Sequence, residues 1–488
     1  MANKSTRRDF IKTGAATGAG FWIANSYDRT FAKSKSANEK VNVATIGSGG
    51  KGHSDSMKCV NNGQNVVAVC DIDSGRADKL ARDVEKKGGR RPQTFADWRV
   101  MLDKMGKQFD AVTVSTPDHS HAVAAARSMA LGKHAYVQKP LTHTVQEARV
   151  LRKLARDNKV CTQMGNQGTA LGTLRSGIEI IQSDVIGEVK EVHVWSNRPV
   201  WPQGAAMQKK FEEGKGKPVP KNFNFDLWLG PASDRPFNGA YGHFIWRGFW
   251  DFGTGALGDM ACHTMNLPFW ALSLEYPTSV QATVPGVYEV TPPEWSTIVY
   301  EFPARTVVKT GKKLPAVTLK WYDGNTRRGA LPAEMKEYAK IGKKYGVDIG
   351  QNGKSGSLFI GTKGALLSPG DYGNDVILLP KDKFPGKYKD HAPKPWLPRH
   401  GGGSNDQHQT DEWISAIRAN KPDLAMSNME YSAYFTEIIL LGNLAMRVPG
   451  EKVEWDGPAM KSPNNSKANT FVSHPYRKGF ELPTVGIS

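Results

Sequence analysis

Val41-Asn-Val-Ala-Thr-Ile46 runs directly into Gly47-Ser-Gly49-Gly50-Lys51-Gly52. A short β-branched apolar run predicts a buried strand, and the pattern G-x-G-x-x-G follows it without a spacer. Ser54 to Asn61 reads as a helix, and Asn65-Val-Val-Ala-Val-Cys70 as a second strand ending at Asp71-Ile72-Asp73. A lone glycine fingerprint is weak. One placed between a strand and a helix, with an acid 22 residues after Gly49, is the context a dinucleotide site requires. Gly47 permits the tight turn, Gly49 lets backbone approach a pyrophosphate, and Gly52 lets the helix pack against the strand. The helix N-terminus then faces the phosphates, with Ser48 and Gly50 completing the loop. Asp71, beside Ile72, is the acceptor for the adenosine ribose hydroxyls. Its carboxylate repels a 2′-phosphate, so NAD is expected over NADP, with Arg76 near enough to compete.

The alternation continues. Ala77 to Lys86 and Asp97 to Met105 read as helices, and Phe109 to Ser115 as a buried strand ending in Thr116-Pro-Asp-His-Ser-His121. An Ala-rich helix from Ala122 to Leu131 follows, then the strand Lys133-His-Ala-Tyr-Val137 closing with Gln138-Lys139-Pro140. Val145 to Asn158 is a helix and Val160 to Met164 a strand. Strands separated by helices imply an α/β, doubly wound parallel sheet over residues 41–164. Ligands bind at the carboxyl ends of such strands. The glycine loop, Asp71, Thr116-Pro117, Lys139 and Asn166-Gln167 all fall there.

The run from Thr116 to His121, with Gly132-Lys133-His134 and Gln138-Lys139-Pro140, resembles the Gfo/Idh/MocA oxidoreductase family, whose pattern is TPxxxH, GKHV, EKP. Asp226-Leu-Trp-Leu-Gly-Pro231, Trp246 to Gly255, Gly258-Asp-Met-Ala-Cys-His263 and Phe359-Ile-Gly-Thr-Lys-Gly364 resemble later family blocks. The usual Glu before the lysine is Gln138 here, which alters the surroundings of the ammonium. The resemblance implies a Rossmann domain followed, over 165–488, by an α+β domain with a large open, mostly antiparallel sheet. It also implies binding of Thr116, Pro117, His121, Gln138 and Lys139 to the cofactor, and association of copies through the open sheet face. The residues agree in outline. Apolar or alternating runs recur at Val189–Trp195, Ser279–Val284, Trp295–Phe302, Ala316–Trp321, Phe359–Ile360, Ala365–Leu367 and Val376–Leu379, before helical stretches at Gln409–Arg418 and Met429–Met446. Residues 208–222, 323–357 and 383–406 read as surface loops. No internal repeat is visible.

Oxidising a sugar hydroxyl requires a base for its proton and an acceptor for its hydride. Lys139 follows a sheet strand where the nicotinamide is expected, and an ammonium there stabilises developing alkoxide charge. Asp259 and His263 are four apart, on one face if the segment is helical. His263 is the candidate base, and Asp259 its orienting or substrate-binding partner. The family's recurring Lys-Asp-His set is matched by these positions. No metal is expected, because Asp-x-x-x-His offers only two ligands. Asn166, Gln167, Trp246 and Arg247 are candidate substrate contacts. Trp201, Trp246 and Trp250 suit either stacking on sugar C–H faces or the core. His119 is expected to face solvent.

At the N-terminus, Ser5-Thr-Arg-Arg-Asp-Phe-Ile-Lys12 precedes a weakly apolar Gly/Ala run to Ala24, which reads as a twin-arginine export signal within a segment 1–40 outside the fold. The run is too short to span a ~30 Å bilayer core comfortably. The expected partners are the Tat translocase and a small carbohydrate-like molecule, and the expected location is the periplasm, with anchoring only if the signal stays uncleaved. The 488 residues carry 65 Lys and Arg against 47 Asp and Glu, a net +18, but the basic pairs are scattered and form no nucleic-acid motif. With 39% apolar and 23% charged residues, disordered, collagen-like and polytopic membrane classes are excluded. Cys59, Cys70, Cys161 and Cys262 make no CxxC pair and too few for a disulfide scaffold.

Three readings remain open: an NAD-dependent sugar or cyclitol dehydrogenase, a redox-neutral NAD-dependent glycosidase of the same fold, and a non-catalytic sugar-binding relative. Export favours the second, since free NAD is scarce outside the cytoplasm. The intact Lys139-Pro140 favours the first, and the Lys139, Asp259, His263 set opposes the third.

Overall fold

The computed structural model describes residues 40–307, 310–324, 336–347, 354–401 and 403–486. The proposed export leader, residues 5–24, lies outside them. Six strands form the first sheet: β1 (Asn42–Ile46), β2 (Asn65–Cys70), β3 (Gln93–Phe95), β4 (Ala111–Val114), β5 (His134–Val137) and β6 (Thr162–Met164). Their order is β3-β2-β1-β4-β5-β6, and every pairing is parallel. The order reverses between β1 and β4, so the crevice of the doubly wound sheet opens at the carboxyl ends of these two strands. Helices α1 (Lys51–Asn61), α2 (Ser74–Lys86), α3 (Trp98–Met105), α4 (Asp118–Ala130) and α5 (Val145–Asp157) cover the sheet. Local chemistry sets their starts. Asp73 and Asp97 accept backbone N–H bonds as N-caps, and Thr144 with Glu147 closes a capping box.

After α6 (Gly172–Gln182) the chain builds an eight-stranded sheet in the order β15-β14-β13-β7-β12-β9-β8-β16. The strands are β7 (Val189–Trp195), β8 (Ser279–Thr283), β9 (Trp295–Phe302), β12 (Val317–Gly324), β13 (Gly356–Gly361), β14 (Ala365–Pro369), β15 (Ile377–Leu379) and β16 (Val453–Glu454), with a separate hairpin of β10 (Arg305–Thr306) and β11 (Lys313–Leu314). β7 and β12 pair in parallel and the remaining pairs are antiparallel. The expected two-sheet α/β architecture is what the chain adopts.

Between β7 and β8 lie α7 (Ala205–Gly214), α8 (Phe225–Leu229), α9 (Gly255–Thr264) and α10 (Asn266–Ala271). Residues 208–222, read as loop from their Lys, Gly and Pro content, are helical up to Gly214. Met207 and Phe211 sit one turn apart and pack into an aromatic cluster with Trp228, Tyr241, Trp246, Phe249 and Phe252, which outweighs the polar composition. A further short helix, α11 (Lys336–Lys344), falls inside the expected 323–357 loop. Helix α12 (Asn405–Ala419) returns to the first sheet. Trp413 is fully buried there, its ring 5.6 Å from Tyr136, and Lys51 Nζ reaches Asp406 at 3.1 Å. Helix α13 (Met429–Met446) packs on α5 and α9. Among the described residues no helix is long and apolar enough to cross a membrane.

Candidate functional site

The glycine loop has the shape a dinucleotide cradle needs. Gly47 has φ +84° and a Cβ there would lie 2.7 Å from Ser115 O. A Cβ on Gly52 would collide with Gly47 O, and one on Gly49 with the Arg76 guanidinium. Gly50 is exposed at φ +51°, open on its outer side, at the start of α1. Asp71 Oδ2 accepts from Ser48 N at 2.7 Å and Ser48 Oγ at 3.0 Å, while Oδ1 accepts from Asp73 N at 3.0 Å. The acid therefore tethers the loop to the end of β2 and keeps lone-pair capacity for a ribose hydroxyl. Ile72 packs on the aromatic cluster. These residues fit an NAD molecule.

Two strand-end loops meet beside this cradle. Thr116-Pro117 follows β4, and Gln138-Lys139-Pro140 follows β5. His121 lies between them, 1% exposed, its ring nitrogens 2.8 Å from Pro140 O and from Thr116 O. Burial pushes its pKa down to about 4, so the ring is neutral and donates one of these bonds at a time. It braces the two loops that border the cradle. His119 is buried too, not exposed. Its Nε2 contacts Trp228 O at 3.0 Å and its ring packs edge-on against Trp228 and Phe252. The Gln138 carboxamide is likewise engaged, donating to Asp55 Oδ2 at 2.8 Å. Burial drives the Asp55 carboxyl upward, and Lys51 opposes it at 2.5 Å. A Glu at 138 would set two buried carboxylates together, so the departure from the family pattern is matched by Asp55.

Lys139 is the centre of the site. Its ammonium donates to Asp259 Oδ1 at 2.8 Å and to Asp259 O at 2.9 Å, joining β5 to α9. Burial, the largest influence, would lower its pKa, but the Asp259 carboxylate and its hydrogen bond, with Cys262 beside them, together raise it. Asp259 responds in kind. Burial opposes ionisation, yet Lys139 and Arg247 hold its carboxyl below the usual range. Arg247 Nε reaches the same Oδ1 at 3.3 Å. His263 lies one turn along α9, 3% exposed, with Nδ1 buried and without a hydrogen-bond partner among the described residues. Burial, then Lys139, depresses its pKa well below the ordinary value, so the ring is neutral at physiological pH. Tyr372 covers it edge-on at 4.6 Å.

Other expected contacts turn out differently. Asn166 is fully buried; its amide donates to Cys262 O at 3.3 Å, and Oδ1 accepts from Ser427 Oγ at 2.6 Å and Gln409 Nε2 at 3.3 Å. It ties the first sheet to α9 and α12, with its oxygen filled by two donors. Gln167 opens a buried single turn to Ala170. Trp201, Trp246 and Trp250 are 4%, 8% and 7% exposed, so all three belong to the core. Trp246 instead supports the Arg247 guanidinium, 4.2 Å from its ring, and Trp250 lies under Arg447. Phe244, by contrast, is 50% exposed, its ring 5.0 Å from the Arg247 guanidinium carbon.

Sequence reasoning missed Asp118, which sits inside the quoted Thr116–His121 run. Its Oδ2 accepts from Thr254 Oγ1 at 2.8 Å and Thr254 N at 3.1 Å, fastening α4 to the N-terminus of α9. Burial pushes its carboxyl up to about 7, against the pull of Arg247. Arg198, after β7, and Tyr372, after β14, also escaped notice, because neither lies in a recurring motif. Among the described residues no group of three or more His, Cys, Asp or Glu is placed to hold a metal ion.

Residues 41–166 match the NAD-binding Rossmann fold of the GFO_IDH_MocA oxidoreductase family, and residues 180–313 match its C-terminal alpha/beta domain. The chain belongs to the Gfo/Idh/MocA oxidoreductase family. A glycosyl hydrolase family 109 protein of Shewanella sp. strain W3-18-1 is 28% identical over 204 residues, covering 38% of this chain and 44% of the relative. An alpha-N-acetylgalactosaminidase of Shewanella oneidensis is 29% identical over 181 residues, 33% of this chain and 39% of its own. The match thus spans less than half of either relative. Among solved structures, the WlbA dehydrogenase of Chromobacterium violaceum, in complex with NADH and UDP-GlcNAcA, superposes with TM-score 0.56 at 17% identity, over 88% of this chain and 99% of that one. An inositol dehydrogenase homologue of Azotobacter vinelandii, complexed with NADH and myo-inositol, gives 0.53 at 14% identity, over 85% and 98%. Both share the fold.

Proposed function

We propose that this oxidoreductase is an exported, NAD-dependent dehydrogenase that takes a hydride from a hydroxyl-bearing carbon of a sugar, cyclitol or sugar derivative. The observation that carries the reading is the Lys139 ammonium, held at 2.8 Å on Asp259 of α9, at the strand end beside the glycine cradle. NAD, when bound, supplies the hydride acceptor. The residues divide the remaining work by protonation state. Lys139, its pKa raised, stays charged and hydrogen-bonds the reacting oxygen. His263, neutral with Nδ1 unpartnered, takes the hydroxyl proton. Asp259 orients the ammonium. The Asp71 carboxylate favours NAD over NADP.

The similarity to glycosyl hydrolase family 109 proteins supports a second reading, a redox-neutral glycosidase in which the hydride returns to the sugar and a glycosidic bond is cleaved. Incubation with candidate sugars and glycosides, with and without added NAD, separates the two. Net NADH formation marks the dehydrogenase, cleavage without net NADH marks the glycosidase, and neither outcome leaves a sugar-binding relative. His263→Ala should slow single-turnover hydride transfer roughly 10²–10⁴-fold while sparing NAD affinity. Near wild-type transfer across pH 6–9 would remove His263 as the base. Export through the Tat translocase to the periplasm rests on Arg7-Arg8. Arg7→Lys with Arg8→Lys should strand the protein in the cytoplasm on fractionation. Association of copies through the open sheet face completes the reading, and light scattering checks it.

A further inference from the structure

The reacting end of the site holds more positive charge than hydride chemistry uses. Lys139 and Arg247 share one carboxylate oxygen, Asp259 Oδ1, at 2.8 and 3.3 Å. Arg198, after β7, is paired with its own acid, Asp371, at 3.4 Å. The other carboxyl near Arg247 is Asp118, whose acceptor oxygen is taken by Thr254 and which burial keeps from full ionisation at neutral pH. His263 is neutral. At Asp259, therefore, two cations, Lys139 and Arg247, face one full carboxylate, with Asp118 contributing a fraction.

Arg247 is also the cation built for recognition. Its guanidinium carbon lies 4.2, 5.0 and 6.0 Å from the rings of Trp246, Phe244 and Trp201. Stacked rings desolvate the faces of the group and leave its edge as the place for hydrogen bonds. Nε is directed to Asp259 and Nη1 reaches Phe244 O at 3.5 Å, while Nη2 has no hydrogen-bond partner among the described residues and the side chain keeps 25% exposure. Phe244 itself has φ +74°, a conformation rare for an aromatic residue, and is 50% exposed. Strain at one wall of a cage around an open guanidinium edge is the pattern expected of a ligand clamp. A neutral hydroxyl does not need a desolvated guanidinium, whereas a planar carboxylate matches its fork. The net charge of +18 steers anions toward the protein as well.

We infer that the substrate carries a carboxylate seated on Arg247, so that the site selects a sugar acid over the corresponding neutral sugar. This rests on the reading that the Lys139–His263 site takes a carbohydrate. The test is calorimetry on the NAD-loaded full chain with D-glucuronate and D-galacturonate against D-glucose and D-galactose, with glucose 6-phosphate as a second anion. The uronates should bind about ten- to a hundredfold more tightly than their neutral partners, and added salt should erode only the uronate affinity. Arg247→Gln should collapse the ratio toward one while leaving NAD affinity intact. Equal binding of acid and neutral sugar by the wild type overturns the inference, as does tighter binding of the phosphate. So does an Arg247→Gln protein that loses NAD rather than selectivity. The wild-type ratio and its salt dependence decide the matter even if the variant fails to fold. Uronate selectivity without turnover would leave the inference standing and sink the dehydrogenase reading; turnover of neutral sugars at equal efficiency would do the reverse.

Discussion

Two buried ion pairs in this chain look alike and are built for different ends. Arg175 and Glu412 are each fully buried in the core, and every group is engaged. Arg175 also donates to Thr169 O at 2.9 Å and Pro398 O at 2.8 Å, while Glu412 receives His400 Nε2 at 2.8 Å and Met426 N at 3.3 Å. Lys139 and Asp259 are 17% and 11% exposed, and the carboxylate oxygen is shared with a second cation. The neighbouring His263 keeps an unpartnered nitrogen. A structural pair satisfies all its valences because an unmet buried charge destabilises the fold. The Lys139–Asp259 pair, to which we assign the reaction, leaves groups open to meet a substrate.

That contrast breaks most visibly at Glu412. Glu412→Ala leaves the Arg175 charge buried alone and should destabilise the protein by about 3–5 kcal/mol in denaturant unfolding. Loss of under about 1 kcal/mol would place this pair with the surface bridges. The pH dependence carries the same sign. Burial would raise the Glu412 pKa, but Arg175 and His400 hold it down to about 2, below its ordinary 4.5. Its stabilisation is therefore present above pH 4.5 and lost as pH falls toward about 2, where wild type and variant should converge.

At the other pair the expected loss is in rate. Lys139→Ala should slow hydride transfer roughly 10²–10³-fold with little change in unfolding free energy, since Asp259 retains Arg247. Lys139→Arg should not restore the rate, because a planar guanidinium cannot replace a compact ammonium. A variant that unfolds but reacts normally when folded would make the Lys139 pair structural. Asp71→Ala comes next. Removing the acceptor for Ser48 and for a ribose should weaken NAD by about 1–3 kcal/mol in calorimetry, and unchanged affinity would reject the ribose assignment. Asp118 gives the smallest effect. Its raised carboxyl adds stability fully below the ordinary value of 3.8, and that stability is lost as pH rises through about 7. Asp118→Asn should flatten stability across pH 4–7 in thermal melts, and parallel wild-type and variant profiles would count against the raised value.

Residues read by short-range spacing were legible before any folding was considered. The glycine loop, Asp71, Lys139 and the Asp259–His263 pair each sit within a few residues of a strand end or on one helical turn, so local periodicity locates them. Partners supplied from far along the chain were not. Asn166 stands at a strand end like a ligand, yet Gln409 and Ser427, 243 and 261 residues away, take its oxygen. His121 and His119 occupy one exposed-looking loop, and the aromatic segment around Trp228 and Phe252 buries the latter. Arg198, Phe244 and Tyr372 reach the site from three separate loops whose local sequence carries no periodic signal. Sequence by itself determined the alternation of strand and helix in the first, parallel sheet and marked the glycine loop, Lys139 and the Asp259–His263 pair as candidates, because backbone geometry and hydrophobic period act over a few residues. Which polar groups stay open for chemistry was decided only by tertiary packing, because hydrogen-bond valence is filled by whichever neighbour the fold brings within 3 Å or so.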